Sequence, residues 1–288
     1  MSSATVQGIF TRKIMEDVTH DIVAFLVRLQ EFYAENKRDM PWREPEENGL
    51  FDPYKILVSE FMLQQTQTGR VRQKYLDFTA RFPRLEDLAH APFDEVLELW
   101  SGLGYNRRAR YLYDAARGLE AKTFPQKIDE LTAHKGIGHN SAAAILTYAY
   151  DQRHAFIETN VRTVFIYEFF ANHDEKVSDK LIEVLLRECV SQVESPRDFY
   201  WALMDYGNWL KKQGVRNIAQ STHYRKQSKF EGSLRQLRGE VLRRAQKKQR
   251  LVDIQTELTD ERLEQVVASL CAEGLIEQKQ GYLIVKRR

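Results

Sequence analysis

The sequence predicts an all-α protein closed by a small α+β element, and three observations carry that prediction. Apolar residues recur at helical spacing through most of the stretch from residue 17 to residue 211. Strand-like alternation is nearly absent before residue 250. The last residues differ: two short apolar runs, 275–278 and 282–285, flank a turn at Lys279-Gln280-Gly281 and read as a β-hairpin.

The elements follow in order. A first helix is expected from about Asp17 to Glu35, with Ile22, Leu26, Leu29, Phe32 and Tyr33 on one face. Pro41 breaks it, and residues 44–52 form a loop containing acids, Asn48 and Gly49. Helical patterns recur at 53–67, 69–82, 94–101, 106–121, 140–151, 161–171, 177–192 and 196–211. Gly232 to about Gln246 reads as a basic helix with Leu234, Leu237, Val241 and Leu242 along one side. Thr259 can cap a last helix running to about Ala272, with Asp260 and Glu261 in its first turn and Gly274 past its end. Helices followed by a hairpin resemble a winged-helix domain, which often binds DNA through its second helix. That helix here carries Asp260, Glu261, Glu264 and Glu273 against Arg262 alone, so packing or a protein contact competes evenly with base reading. The expected division is 1–228 and 229–288.

Composition narrows the class. A chain of 288 residues with 43% hydrophobic side chains can bury a real core in one large or two ordinary domains. No run reaches the length of a membrane span, and the first 20 residues mix Arg12, Lys13, Glu16 and Asp17 without an apolar stretch. Cys189 and Cys271 lie far apart in helical sequence and read as buried small hydrophobes, which fits a reducing cytoplasm. The net charge of +2 hides an asymmetry: residues 1–205 carry −7, residues 206–250 carry +11 and residues 251–288 carry −2. A concentrated positive segment suits a polyanion, with a solvated linker as the competing reading.

Three motifs carry candidate chemistry. Glu60 lies in Val58-Ser59-Glu60-Phe61-Met62-Leu63-Gln64-Gln65-Thr66-Gln67, with no basic residue three or four positions away on a helix. A carboxyl in apolar surroundings without a cation is expected to have a raised pKa, which suits a proton donor. The second motif is Lys135-Gly136-Ile137-Gly138-His139-Asn140-Ser141-Ala142. A Gly-x-Gly turn before a helix lets backbone approach a ligand and offers free N–H groups to a phosphate, although a plain helix–helix turn would look similar. The third is Phe156-Ile157-Glu158-Thr159-Asn160-Val161-Arg162, an acid closing a strand-like apolar run.

These motifs, with Pro41-Trp42-Arg43 and Gly102-Leu103-Gly104-Tyr105, resemble the helix–hairpin–helix (HhH-GPD) DNA glycosylases of the MutY adenine-glycosylase type over roughly residues 20–228. The resemblance implies two helical lobes with a DNA cleft between them and a hairpin at 131–145 that grips phosphates without reading sequence. It implies that Glu60 protonates the departing base and that Glu158, where the family usually has aspartate, stabilises the sugar cation. Glu158 reaches about 1.5 Å further than an aspartate would. Arg43, Asn140 and Asn160 would line the base pocket, with a surface ion pair as the competing reading for Arg43 and core packing for Trp42. Asn140 stands where bifunctional relatives carry a nucleophilic lysine, so strand cleavage through a Schiff base is not expected. Lys135 does not match that position.

The same resemblance assigns DNA contacts. Gln64 and Gln65 would fill the space of the extruded base, with Thr66 beside them on the DNA, and Tyr105 would wedge beside the partner nucleotide, with Asn106 replacing the usual second tyrosine. Arg107, Arg108 and Arg110 would pair phosphates, and Gly136, Gly138 and His139 would form the phosphate grip. Iron–sulfur members carry four cysteines after the segment matched by Met204-Asp205-Tyr206-Gly207, but residues 208–230 contain none, so no cluster is expected. Lys211, Lys212, Arg216, Arg225, Lys226 and Lys229 would contact phosphates instead. The tail is too short for the Nudix-like domain that MutY enzymes append. The expected partner is double-stranded DNA with a lesion or mismatch, bound by a monomer without a membrane or cofactor. Excision of an oxidised or deaminated pyrimidine, or DNA-structure binding without catalysis, remain alternatives to adenine excision.

Overall fold

The computed structural model describes residues 21–120, 122–171, 175–224 and 229–287. The helices in chain order are α1 (residues 21–36), α2 (Pro53–Leu63), α3 (Thr68–Arg81), α4 (Leu85–His90), α5 (Phe93–Trp100), α6 (Arg107–Leu119) and α7 (Ile128–Thr132). They continue with α8 (His139–Tyr150), α9 (Thr159–Phe169), α10 (Asp179–Gln192), α11 (Pro196–Lys212), α12 (Leu234–Gln246), α13 (Leu251–Glu257) and α14 (Leu263–Ala272). Strands β1 (Ile276–Lys279) and β2 (Tyr282–Val285) pair antiparallel. The chain forms two compact units, one drawn from residues 1–39 and 146–225 and the other from 40–145 and 226–288; the division falls within α8.

In the first unit, α1, α9 and α11 share an aromatic core. Phe25 meets Phe165 and Phe169 edge-on at 5.8 and 5.1 Å, and Phe32 packs on Tyr206 and Trp209. Gly207 lets α11 press on α9, since a Cβ there would stand 2.8 Å from that of Asn160. Pro196 at the first position and the Ser195 hydroxyl, accepting from Asp198 N, start α11.

In the second unit, α2 begins with the Asp52 carboxylate accepting from Tyr54 N and Pro53 at its first position. Its buried face (Tyr54, Leu57, Val58, Phe61 and Met62) packs on α3 and α6 around Phe78, Phe82 and Trp100. The tail belongs to this unit. Glu273 takes salt bridges from Arg107 of α6 and Arg238 of α12, Arg110 donates to Gly274 O at 3.3 Å, and Arg287 pairs with Asp94 at 3.0 Å.

The helical pattern is found with corrected ends. The stretch expected as one helix over 53–67 stops at Leu63, where Gln64 turns to ψ 113° and Gln65 to φ +55°. The short helices α4, α7 and α13 are additional to the expected set, being too brief to show a period. Thr259 does not cap α14, which starts at Leu263; Asp260 instead turns back to accept from Arg262 N, so Asp260 and Glu261 lie before the helix. The hairpin turn contains Gln280 and Gly281 only, at φ 50° and 81°, with Lys279 inside β1 opposite Tyr282. That two-residue left-handed turn matches the twist of paired strands. The run before Glu158 is extended chain rather than strand, held where Phe156 N donates to the Tyr200 hydroxyl at 3.0 Å. The beginning of the first helix near Asp17 lies outside the described residues.

Candidate functional site

Glu60 occupies the last turn of α2, half-buried between the buried residues Ser59 and Phe61. The turn is finished by a side chain from another helix. Arg108 Nη1 donates to the carbonyls of Phe61 at 2.7 Å, Met62 at 3.1 Å and Gln64. Its Nη2 reaches Thr66 Oγ1 at 2.9 Å, Leu103 O at 3.3 Å and Gly104 O at 3.1 Å. Carbonyls at a helix end lack intrahelical donors, so one guanidinium both caps α2 and ties its exit loop to the 102–105 loop. The guanidinium also lies 5.5 Å from the rings of Trp100 and Tyr105. Desolvation pulls its pKa down to about 10.

This overturns the expected phosphate role of Arg108, which is 7% exposed and directs its donors at protein oxygens. Thr66 is likewise turned inward, its hydroxyl between Arg108 and the Gln64 and Leu103 carbonyls. Arg107 is held by Glu273, and Arg110 by Asp114 and Gly274 O. Gln65 and Tyr105, expected to enter the DNA, are exposed, and both adopt left-handed backbone, at φ +55° and +47°. Non-glycine residues held in that region store strain where a loop has a task. Gln64 Nε2 reaches Ser141 Oγ at 3.4 Å, bringing the loop to the start of α8. Arg43 and Trp42 are both buried in the short turn at 41–43, and Trp42 has a core place against Tyr75.

The hairpin motif joins α7 to α8. Gly136 has φ +89°, and a Cβ there would strike the Tyr111 ring at 2.6 Å. Gly138 does not share that left-handed backbone, a correction to the expected turn; nothing lies within 4 Å of where its Cβ would be. One glycine is required by geometry and packing, while the other leaves backbone open to approach. Ile137 is buried and pins the turn, whereas Gly138, His139 and Asn140 are exposed at the first turn of α8.

Glu158 is the N-cap residue of α9, half-buried by its own surface but enclosed enough that desolvation raises its pKa, against the opposing charge of Arg162. Arg162 in turn is held by Asp179 through contacts of 2.7 and 2.6 Å. Asn160, expected in the base pocket, donates to Met204 O at 3.4 Å and accepts from Lys211 Nζ at 2.6 Å. Lys211, expected on phosphate, is therefore turned to the α9 start, and burial lowers its pKa. A cavity of about 340 Å³ lies beside it, lined by Thr163, Lys211, Val215, Arg216, Asn217 and Ile218. Lys212, Arg216 and Lys229 are exposed, while Arg225 and Lys226 lie outside the described residues.

Sequence reasoning missed the tail's contribution. Arg235 of α12 donates to the Tyr105 hydroxyl at 3.0 Å, 130 positions away in sequence, a distance at which no local pattern signals contact. The chain's two cysteines, Cys189 buried in α10 and Cys271 in α14, cannot supply the four thiolates of an iron–sulfur cluster. Among the described residues no group of three or more His, Cys, Asp or Glu is placed to hold a metal ion. No described helix is long and apolar enough to cross a membrane.

The description "HhH-GPD superfamily base excision DNA repair protein" matches residues 58–191. An adenine DNA glycosylase of Buchnera aphidicola subsp. Baizongia pistaciae is 33% identical over 189 residues, covering 65% of this chain and 52% of that protein. The adenine DNA glycosylase of Mycobacterium tuberculosis is 40% identical over 136 residues, covering 46% and 43%. The chain thus spans about half the length of these relatives. A thermostable thymine-DNA glycosylase superposes with a TM-score of 0.56 at 22% identity, covering 72% of this chain and 98% of that one, a likeness of fold alone. Motifs, helical architecture and relatives converge: over residues 58–191 the chain matches the HhH-GPD superfamily of base excision DNA repair proteins.

Proposed function

We propose that the protein is a monofunctional DNA N-glycosylase that acts as a monomer and removes adenine from a mispair. The observation that carries this reading is Glu60 itself, a half-buried carboxyl in the last turn of a helix whose exit loop is locked by Arg108. The relatives named adenine DNA glycosylase support the choice of base. In the reaction, the nucleotide leaves the stack and Glu60 gives its proton to a ring nitrogen of the purine. The C1′–N bond then breaks with its electron pair going to the base. The Glu158 carboxylate balances the charge on the sugar until water adds at C1′ and loses a proton.

Asn140 supports the monofunctional part of the reading, because its exposed amide supplies no amine for a Schiff base. The open backbone at Gly138 and the start of α8 serve as the phosphate grip. Exposed Lys212, Arg216 and Lys229 add electrostatic contacts. Residues 229–288 form a winged-helix-like part of the second unit, and no cluster takes part.

The test is incubation of the purified chain with duplexes carrying adenine mispairs, oxidised pyrimidines and uracil, followed by hot alkali. Abasic sites from an adenine mispair that vanish with Glu60→Gln are expected. Abasic sites from a pyrimidine lesion alone move the specificity to that base. Binding without Glu60-dependent cleavage of any member sinks the enzyme reading. Efficient borohydride trapping would contradict the monofunctional assignment.

A further inference from the structure

We propose that the C-terminal segment completes the DNA surface around Tyr105 and that Arg235 is a positioning residue for this ring against the strand opposite the extruded base. The inference rests on the glycosylase reading above and extends it to a part of the chain that the matched region, residues 58–191, does not include.

Tyr105 stands on left-handed backbone and is 36% exposed, with two guanidiniums against its ring. Arg108 lies 5.5 Å from the ring centroid and Arg235 lies 5.9 Å from it. Arg235 also donates from Nη1 to the phenol oxygen at 3.0 Å. An aromatic ring gripped at its face and its hydroxyl loses rotamer freedom before binding, which lowers the ordering cost of inserting it beside a base.

Arg235 can do this because α12 is fixed. Leu237, Val241, Leu242 and Ala245 bury one face of the helix, and the Ser233 hydroxyl accepts from Gln236 N at its start. Glu273 receives Arg107 from one side and Arg238 from the other at 2.5 Å, fastening α12 to α6, whose first turn follows Tyr105. Against the upward push of its own burial, those guanidiniums draw the Glu273 carboxyl down to about 2, so the fastening is ionised throughout the neutral range.

The occupant follows from the chemistry beside the ring. Leu234 is 44% exposed and Phe230 62% exposed, on and beside a helix whose Arg238, Arg243 and Arg244 are paired with Glu273, Glu240 and Glu257, while Arg235 lies against the ring. Exposed apolar and aromatic groups among arginines suit bases and phosphates, where stacking and charge act together. An acidic protein partner is the competing occupant, and the experiment separates the two.

The experiment uses the full chain, with Arg235→Ala, Arg235→Lys, Tyr105→Phe and the Arg235→Ala/Tyr105→Phe double variant. Dissociation constants at one fixed salt concentration are measured for a matched duplex and for one carrying a tetrahydrofuran abasic-site analogue. Arg235→Ala is expected to weaken binding to the analogue duplex about tenfold and to the matched duplex less than twofold. Arg235→Lys should recover part of the loss, and the double variant should be no weaker than the worse single. An unchanged analogue affinity overturns the proposal and leaves α12 for another partner. Equal losses on both duplexes, or losses that multiply in the double variant, overturn it as well. The binding measurement needs no turnover, so a wild-type chain that discriminates the analogue yet excises nothing defeats the glycosylase reading alone.

Discussion

Two glutamates of the same chain stand at opposite ends of helices. Glu60 lies in the last turn of α2, and Glu158 is the N-cap of α9. A helix presents partial negative charge at its C-terminus and partial positive charge at its N-terminus. Glu60 thus lies at the negative end of its helix and Glu158 at the positive end of its own. In the proposed reaction, position on the helix, more than residue type, separates the proton donor from the anion.

The supports differ as well. Near Glu60, one buried guanidinium satisfies carbonyls of the α2 end and of the 102–105 loop at once. Around Glu158, support passes through a chain of neutral and charged partners, from Lys211 to Asn160 to the Met204 carbonyl, with Tyr200 holding Phe156 just upstream. The first arrangement concentrates the dependence on one residue, and the second spreads it.

That contrast can be broken by substitution. Arg108→Gln leaves several carbonyls without donors and is expected to cost about 3 kcal/mol of stability, read as a shift in the urea midpoint. Lys211→Met removes one bond to an amide and is expected to cost about 1 kcal/mol. Equal costs would erase the distinction between concentrated and distributed support.

A smaller effect sharpens the electrostatic half. The Glu158 pKa is raised by burial and lowered by Arg162. Excision that needs the ionised carboxylate rises with pH through that raised pKa, so the acid limb lies above the range of an ordinary glutamate. Arg162→Gln removes the lowering charge, and the limb should move to still higher pH, whereas Arg162→Lys should hold it near its original place. A limb that moves to lower pH in the glutamine variant contradicts the assignment of Glu158.

Much of this was legible in the sequence. The helical periods around Glu60, the Gly136 turn and the Glu158 segment were all local patterns, and the tail hairpin followed from its glycine turn. What escaped was set by contacts distant in sequence. Arg108 sits at a helical spacing that looks solvent-facing and basic, yet its six oxygen acceptors come from residues 61–66 and 103–104. Lys211 meets Asn160 across 51 positions, and Glu273 meets Arg107 across 166. The same reasoning explains the failed Thr259 cap: Asp260 had a nearer donor in Arg262 N, and that turn delays the helix to Leu263.

The division of roles between the two glutamates has one direct test, single-turnover excision measured on two duplexes that differ only in how easily the departing base leaves without protonation. Glu60→Gln should slow removal of the poor leaving group by about a thousandfold and of the good one far less, because only the first needs the proton. Glu158→Gln should slow both by a similar factor, because the sugar cation is common to both. Equal sensitivity of the two variants to leaving-group quality would contradict the account.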